Sequence, residues 1–236
     1  MKKGILYGIS VGPGDPELMT MKALRILKAC PVWAMPRTSG DDTVALDIVR
    51  QVVPAEGKEI LPLDFVMTRD PAALERQHQR LAALLQEALD AGRDTAVVNL
   101  GDVSIYSTFS YLAQLLAPRG YEVSWVPGVP SFCAAACALG VSLTEAKKPL
   151  HIFPGSYDIG KALSSEGGKV LSSEGGKVLM KSGKQLPQVL DAIAQAGLRE
   201  KAAMVSNCGM ENQKLCPNLE EAQGTEGYFT TILVRP

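Results

Sequence analysis

The run Gly8-Ile9-Ser10-Val11-Gly12-Pro13-Gly14 follows an apolar, strand-like segment and precedes one with helical spacing. A glycine-rich turn in that context can bring backbone N–H groups against a phosphate or another anion. Its spacing is not the G-x-G-x-x-G of a dinucleotide site. The second strand also ends in Trp33-Ala34-Met35-Pro36-Arg37, without the acidic residue that would hold a ribose. Nicotinamide-dinucleotide binding is therefore disfavoured. Rossmann-type methyltransferases carry an acidic residue just before their glycine-rich turn, and Leu6-Tyr7-Gly8 supplies none.

A second candidate is Gly101-Asp102 at the end of the apolar strand Thr95-Ala96-Val97-Val98-Asn99-Leu100. A carboxylate there suits a ligand contact, a cap for the next helix, or both. His151, between Leu150 and Ile152, reads as a strand-edge histidine with a satisfied ring, and His78, among Gln77, Gln79 and Arg80, reads as solvated. Cys30, Cys133, Cys137, Cys208 and Cys216 are odd in number and lack zinc-finger or C-x-x-C spacing, so reduced thiols are expected and no metal site. Cys133 and Cys137 would share one face of an alanine-rich helix, where core packing is the expected role.

These residues need strands and helices to place them. Residues 4–9 read as a strand, 10–14 as a loop, and 15–29 as a helix capped by Asp15 with Pro16 at its first position. A strand over 31–35, a helix over 45–53, a strand over 59–63 and a long helix over 71–91 follow. That helix carries Leu74, Leu81, Leu84, Leu85 and Leu89 on one face and stops at Gly92. After the strand at 95–100 come a helix over 110–116 and a strand over 122–126 that ends at Pro127-Gly128. This alternation predicts a parallel sheet flanked by helices.

A domain boundary is placed at Pro127, giving lobes over 1–127 and 128–236. The second lobe is read as an alanine-rich helix up to Gly140, strands at 150–153, 178–181, 202–206 and 228–234, and a helix over 187–196. One octapeptide, Leu-Ser-Ser-Glu-Gly-Gly-Lys-Val, occurs twice in tandem at 163–170 and 171–178. Only one copy can feed the strand ending at Lys181. The other lengthens a loop, which chains tolerate at small entropic cost. Neither copy has the phosphate-binding G-x-x-x-x-G-K-[ST] pattern.

The chain has 236 residues, of which 46% are hydrophobic and 21% charged, with 22 Gly and 15 Pro, a balance typical of globular enzymes. Its 24 basic and 25 acidic side chains nearly cancel, so neither nucleic acid nor an anionic membrane is an expected partner. No apolar stretch approaches the ~20 residues of a membrane span, and Met1-Lys2-Lys3 leads into a strand rather than a secretory segment. A cytoplasmic protein is expected.

Five motifs occur in order along the chain: Gly12-Pro13-Gly14-Asp15-Pro16-Glu17-Leu18 with Thr20; Leu100-Gly101-Asp102; Val126-Pro127-Gly128-Val129-Pro130-Ser131-Phe132; Leu179-Met180-Lys181; and Tyr228-Phe229-Thr230-Thr231. Together they resemble the tetrapyrrole methylase family. Residues 63–70, the long helix after them and the stretch Gly101-Asp102-Val103-Ser104-Ile105-Tyr106-Ser107-Thr108-Phe109 resemble the precorrin-2 / cobalt-factor II C20-methyltransferase branch. Two departures stand out. Many relatives have proline where this chain has Val103, and the tandem octapeptide is not part of the family pattern.

The resemblance implies a two-lobed α/β fold, with a parallel-sheet N-terminal lobe, a mixed-sheet C-terminal lobe and the active site in the cleft between them. It implies S-adenosylmethionine as cofactor, with S-adenosylhomocysteine as product. Pro13, Leu100, Gly101, Asp102, Ile105, Ser107, Thr108, Ser131, Phe132, Met180 and Thr230 would line its site. Gly12, Gly14 and Asp15 would shape the tetrapyrrole side, with helix-start N–H groups facing a carboxylate. Arg37, Arg69 and Lys181 either pair with the acetate and propionate groups or are simple surface charge. Asp102 and Tyr106 are the candidates to assist loss of the C20 proton; Tyr106 and Tyr228 read either as ligand contacts or as half-buried packing residues. The implied role is C20 methylation of precorrin-2 or cobalt-factor II in cobalamin (vitamin B12) biosynthesis, by a homodimer. The alternatives are another tetrapyrrole C-methyltransferase of that pathway, a ribosomal-RNA 2′-O-methyltransferase, which the formal charge of −1 disfavours, and a non-catalytic ligand-binding module.

Overall fold

The computed structural model describes residues 2–37, 44–66, 68, 70–154, 171, 173–222 and 229–236. Arg69, Tyr228 and the first octapeptide copy lie outside them. The chain divides into two compact units, Met1–Pro130 and Ser131–Pro236.

The first unit is built on five parallel strands, β1 (Leu6–Ser10), β2 (Val32–Arg37), β3 (Glu59–Asp64), β4 (Thr95–Asn99) and β5 (Val123–Val126), in the order β3-β2-β4-β1-β5. Between them run α1 (Met21–Ala29), α2 (Val44–Arg50), α3 (Pro71–Asp90) and α4 (Phe109–Leu116). The first two crossovers travel one way across the sheet and the next two return. Right-handed connections therefore put α1 and α2 on one face and α3 and α4 on the other. The two apolar clusters follow this division: Ile9, Leu27, Trp33, Leu46 and Val49 pack together, and Leu6, Leu81, Leu85, Phe109 and Leu112 form the other layer. Alternation along β1 explains the split, since successive side chains face opposite ways. The strand extends to Ser10, one residue beyond the expected 4–9, and Gly8 within it lies close under Phe109: a Cβ there would be 2.4 Å from the ring.

The helix expected over 15–29 is two elements. Asp15 caps a 3-10 turn at Pro16–Leu18, accepting from Glu17 N–H at 2.8 Å. The chain then becomes extended, and Thr20 caps α1 by accepting from Ala23 N–H at 3.2 Å. Two cap-forming residues five apart were available, and each starts its own element.

The second unit has the sheet order β6-β7-β10-β8-β9, with β6 (Leu150–Pro154) parallel to β7 (Gly176–Met180). β10 (Thr230–Val234) runs antiparallel to β7 and to β8 (Ala202–Ser206), and β9 (Lys214–Cys216) antiparallel to β8. The sheet is thus mixed. One face, through Met204, Ile232 and Val234, packs against Leu186, Val189 and Ile193 of α6 (Leu186–Gln195). α5 (Ser131–Leu139) packs on β8 and β10.

The second octapeptide copy feeds β7. Gly175 has φ +101°, and a Cβ on it would lie 2.1 Å from Pro149 O, while one on Gly176 would lie 1.8 Å from Leu143 O. Lys177 is buried, and its ammonium donates to the Ser173 and Gly175 carbonyls. Burial, with the Lys201 charge adding to it, lowers its pKa.

Two expectations fail locally. His78 is half-buried and stacks on Tyr111, with ring centroids 4.6 Å apart and planes at 9°. Cys137 is exposed and Cys133 half-buried, because α5 turns Phe132 and Ala134 to Ala136 inward instead.

Candidate active site

In an open parallel sheet, ligands bind outside the carboxyl ends of strands at the point where neighbouring exit loops leave towards opposite faces. Here that point is β4 beside β1. The chain leaves β1 towards α1 on one face and leaves β4 towards α4 on the other. The loops concerned, 11–19 and 100–108, are those carrying Gly12 to Asp15 and Leu100 to Thr108.

The two loops are tied together by backbone. Gly101 N–H donates to Gly12 O at 2.8 Å, and Gly12 N–H to Gly101 O at 3.3 Å. Both glycines adopt left-handed φ, +76° and +73°, so a side chain at either would be strained. The result is bare backbone over the ends of β1 and β4, where a ligand can approach closely. Pro13 and Gly14 are buried beside it.

Asp102 is buried at 8% exposure and engaged on both oxygens. Oδ2 accepts from Gly128 N–H at 2.7 Å, and Oδ1 from the Ser104 N–H at 2.8 Å and from the Ser104 hydroxyl. Burial alone would raise its pKa, but the bonds from Gly128 and Ser104 outweigh it and hold the carboxyl below the ordinary 3.8. Asp102 is therefore an anion that fixes the loop, and it is poorly disposed to accept a proton.

Further along, Ser107 Oγ donates to Asn99 Oδ1 at 2.7 Å and accepts from Phe109 N–H at 3.1 Å, starting α4. Thr108 is half-buried and makes no capping bond with its side chain. Ile105 is half-buried, and Tyr106 is 45% exposed with φ +50°. A non-glycine residue in that conformation is strained, and such strain gathers at functional turns.

The second unit gathers its own set at one end of its sheet. Met180 pairs in register with Thr231, whose hydroxyl lies 3.3 Å from Ser131 Oγ at the start of α5, next to buried Phe132. Thr230 is buried and its hydroxyl meets Ser206 Oγ at 3.0 Å. Lys181 follows Met180 with φ +60°, half-buried, and desolvation lowers its pKa.

Some sequence candidates are occupied elsewhere. Arg37 ends β2 opposite Asp64 and forms an ion pair with it at 2.6 Å. At the turn that follows Asp15, where helix-start N–H groups are expected to face a substrate carboxylate, the Glu17 N–H is taken by Asp15 itself. Ser10 and Asn99, which brace the loops, were not singled out by their sequence context.

A family profile described as Tetrapyrrole (Corrin/Porphyrin) Methylases matches residues 5–223. The chain belongs to this family. A relative from Methanocaldococcus jannaschii, named probable cobalt-precorrin-2 C(20)-methyltransferase, is 36% identical over 66% of this chain and 66% of its own. The cobalt-precorrin-2 C(20)-methyltransferase of Salmonella typhimurium is 34% identical over 98% of this chain and 96% of its own. Among solved structures, uroporphyrin-III C-methyl transferase from Thermus thermophilus, complexed with S-adenyl homocysteine, shares the fold at a TM-score of 0.69 and 20% identity, over 98% of this chain and 97% of that one. The family resemblance and the α/β class with one parallel and one mixed sheet hold. Among the described residues, no helix is long and apolar enough to cross a membrane.

Proposed function

We propose that this methylase transfers a methyl group from S-adenosylmethionine to C20 of precorrin-2 in cobalamin biosynthesis, with the cobalt-loaded form as its preferred substrate. The supporting observation is the junction at the ends of β1 and β4, where Gly12 and Gly101 of two separate motifs meet through paired backbone bonds, with Asp102 next in the chain. The names of both relatives favour the cobalt-loaded form.

The donor set of the first unit fits the cofactor: bare backbone at Gly12 and Gly101, hydroxyls at Ser107 and Thr108, and a carboxylate held negative at Asp102. A fixed anion favours a sulfonium–ammonium cation nearby. We assign Leu100, Ile105 and Pro13 to the same contact surface, and Met180, Ser131, Phe132 and Thr230 to the contacts made by the second unit. When bound, S-adenosylmethionine supplies an electrophilic methyl group, and the residues contribute orientation and exclusion of water. Asp102 acts as a positioning residue. Tyr106, exposed on its strained turn, is the candidate to accept or relay the proton leaving C20. Lys181 pairs with a substrate carboxylate, which would restore the favourable charge that its burial opposes. Arg37 contributes only by exchanging Asp64 for such a group.

Anaerobic incubation with methyl-labelled S-adenosylmethionine and each of the cobalt-loaded and metal-free substrates tests this reading. Faster label transfer to the cobalt-loaded substrate is expected. Cofactor binding without transfer to either would indicate a ligand-binding module instead. The protein is also expected to be a cytoplasmic homodimer, the assembly being checked by light scattering.

A further inference from the structure

The backbone N–H of Val103, in the loop after β4, is in use. It donates to Ser10 Oγ at 2.8 Å. A proline there would have no N–H to give, though its ring would stiffen the same turn. Ser10 is fully buried, and its hydroxyl donates onward to Val126 O at 2.7 Å. One hydroxyl thus joins the ends of β1 and β5 to the loop after β4.

The connections close on themselves. From Val126 the chain passes through Pro127 to Gly128, whose N–H donates to Asp102 Oδ2 at 2.7 Å, and Asp102 leads directly back to Val103. Gly128 is pressed into this ring: a Cβ on it would lie 2.4 Å from Ser10 Cβ and 3.0 Å from Gly101 O. Ser10, at the end of β1, and Gly128, just after β5, therefore hold loop 100–104 through Val103 and Asp102.

We propose that Ser10 is a positioning residue for the cofactor loop, and that Ser10 and Val103 form a matched pair in which the buried hydroxyl accepts from an amide N–H that a proline could not supply. This rests on the methyltransferase reading above. The physical signature is asymmetric. Removing only the hydroxyl leaves the buried Val103 N–H unsatisfied, whereas removing both partners of that bond leaves no orphaned N–H; the Val126 carbonyl loses the same donor in both cases.

The test is a cycle of Ser10→Ala, Val103→Pro and the double variant, with kcat and both KM values measured on each folded protein. Ser10→Ala is expected to raise the KM for S-adenosylmethionine about tenfold, on the scale of one unmade buried hydrogen bond, while the tetrapyrrole KM stays within about twofold. In the double variant, the cofactor KM is expected to return to within about threefold of the parent. An unchanged cofactor KM in Ser10→Ala, equal rises in both KM values, or further damage in the double variant would overturn the pairing. Should either proline variant fail to fold, the KM split of Ser10→Ala decides alone. Parent turnover is measured first: its absence would sink the methyltransferase reading, whereas parent turnover with unaffected variants would sink only the role of Ser10.

Discussion

Asp102 carries three hydrogen bonds on two oxygens, and its ionised form is the one they stabilise. Its folded pKa lies below the unfolded value. Asp102 therefore contributes stability above the ordinary 3.8, and that contribution is lost as the pH falls through the lower folded value. Asp102→Asn puts an amide N–H where only acceptors fit. We expect the variant to be less stable than the parent at neutral pH, with the gap shrinking as the pH is lowered below 3.8 and through the folded value. Urea unfolding across that range measures it, and a constant gap would mean that the charge contributes nothing. Asp102 was legible in the sequence because it ends an apolar strand beside glycine. Ser10 was not, since the groups that its hydroxyl meets are 93 and 116 residues away and nothing local marks a serine as their junction. The same holds for Arg37: its charge was visible, but not the Asp64 that neutralises it.

At the scale of elements, α3 and α4 meet through His78 and Tyr111, with Phe65 close by at 6.2 Å from the imidazole centroid. Burial lowers the His78 pKa from 6.5, with Glu75 pulling weakly the other way. A folded pKa below the unfolded one means that this site contributes stability above about 6.5, and loses it as the pH falls through the folded value. Tyr111→Ala opens the ring to water, so NMR titration of His78 should show its midpoint moving up towards 6.5. A midpoint that stays put would place the desolvation elsewhere. The octapeptide makes a second element-scale prediction. Gly175, Gly176 and Lys177 of the second copy have native places, so deleting 163–170 should leave the melting temperature and turnover near those of the parent. Gly175→Ala should cost roughly 2–4 kcal/mol in chemical denaturation, since it combines a left-handed φ with backbone contact. If the deletion unfolds the protein, the two copies are not interchangeable in the way the strand suggests. Long apolar periodicity made α3 readable to within a residue. β9, with only Cys216 of its three residues buried, offered no pattern to read. The break between Pro16–Leu18 and α1 was hidden because Asp15 and Thr20 are both good caps and sequence alone does not rank them.

For the whole molecule, the direction of four crossovers places the candidate site before any residue role is considered: β4 exits to one face and β1 to the other, and two motifs 89 residues apart, at Gly12 and Gly101, meet there. Alternating strands and helices made the parallel sheet legible, whereas the pairing of β10 between β7 and β8 depends on long-range register that no single stretch encodes. The proposed reaction is methyl transfer to one ring carbon. Anaerobic turnover of cobalt-loaded precorrin-2 with ¹³C-methyl S-adenosylmethionine, followed by NMR assignment of the product, tests it most directly. A single labelled methyl on C20 is the predicted result, and label at another ring carbon, or no label on the tetrapyrrole while the cofactor binds, would contradict it.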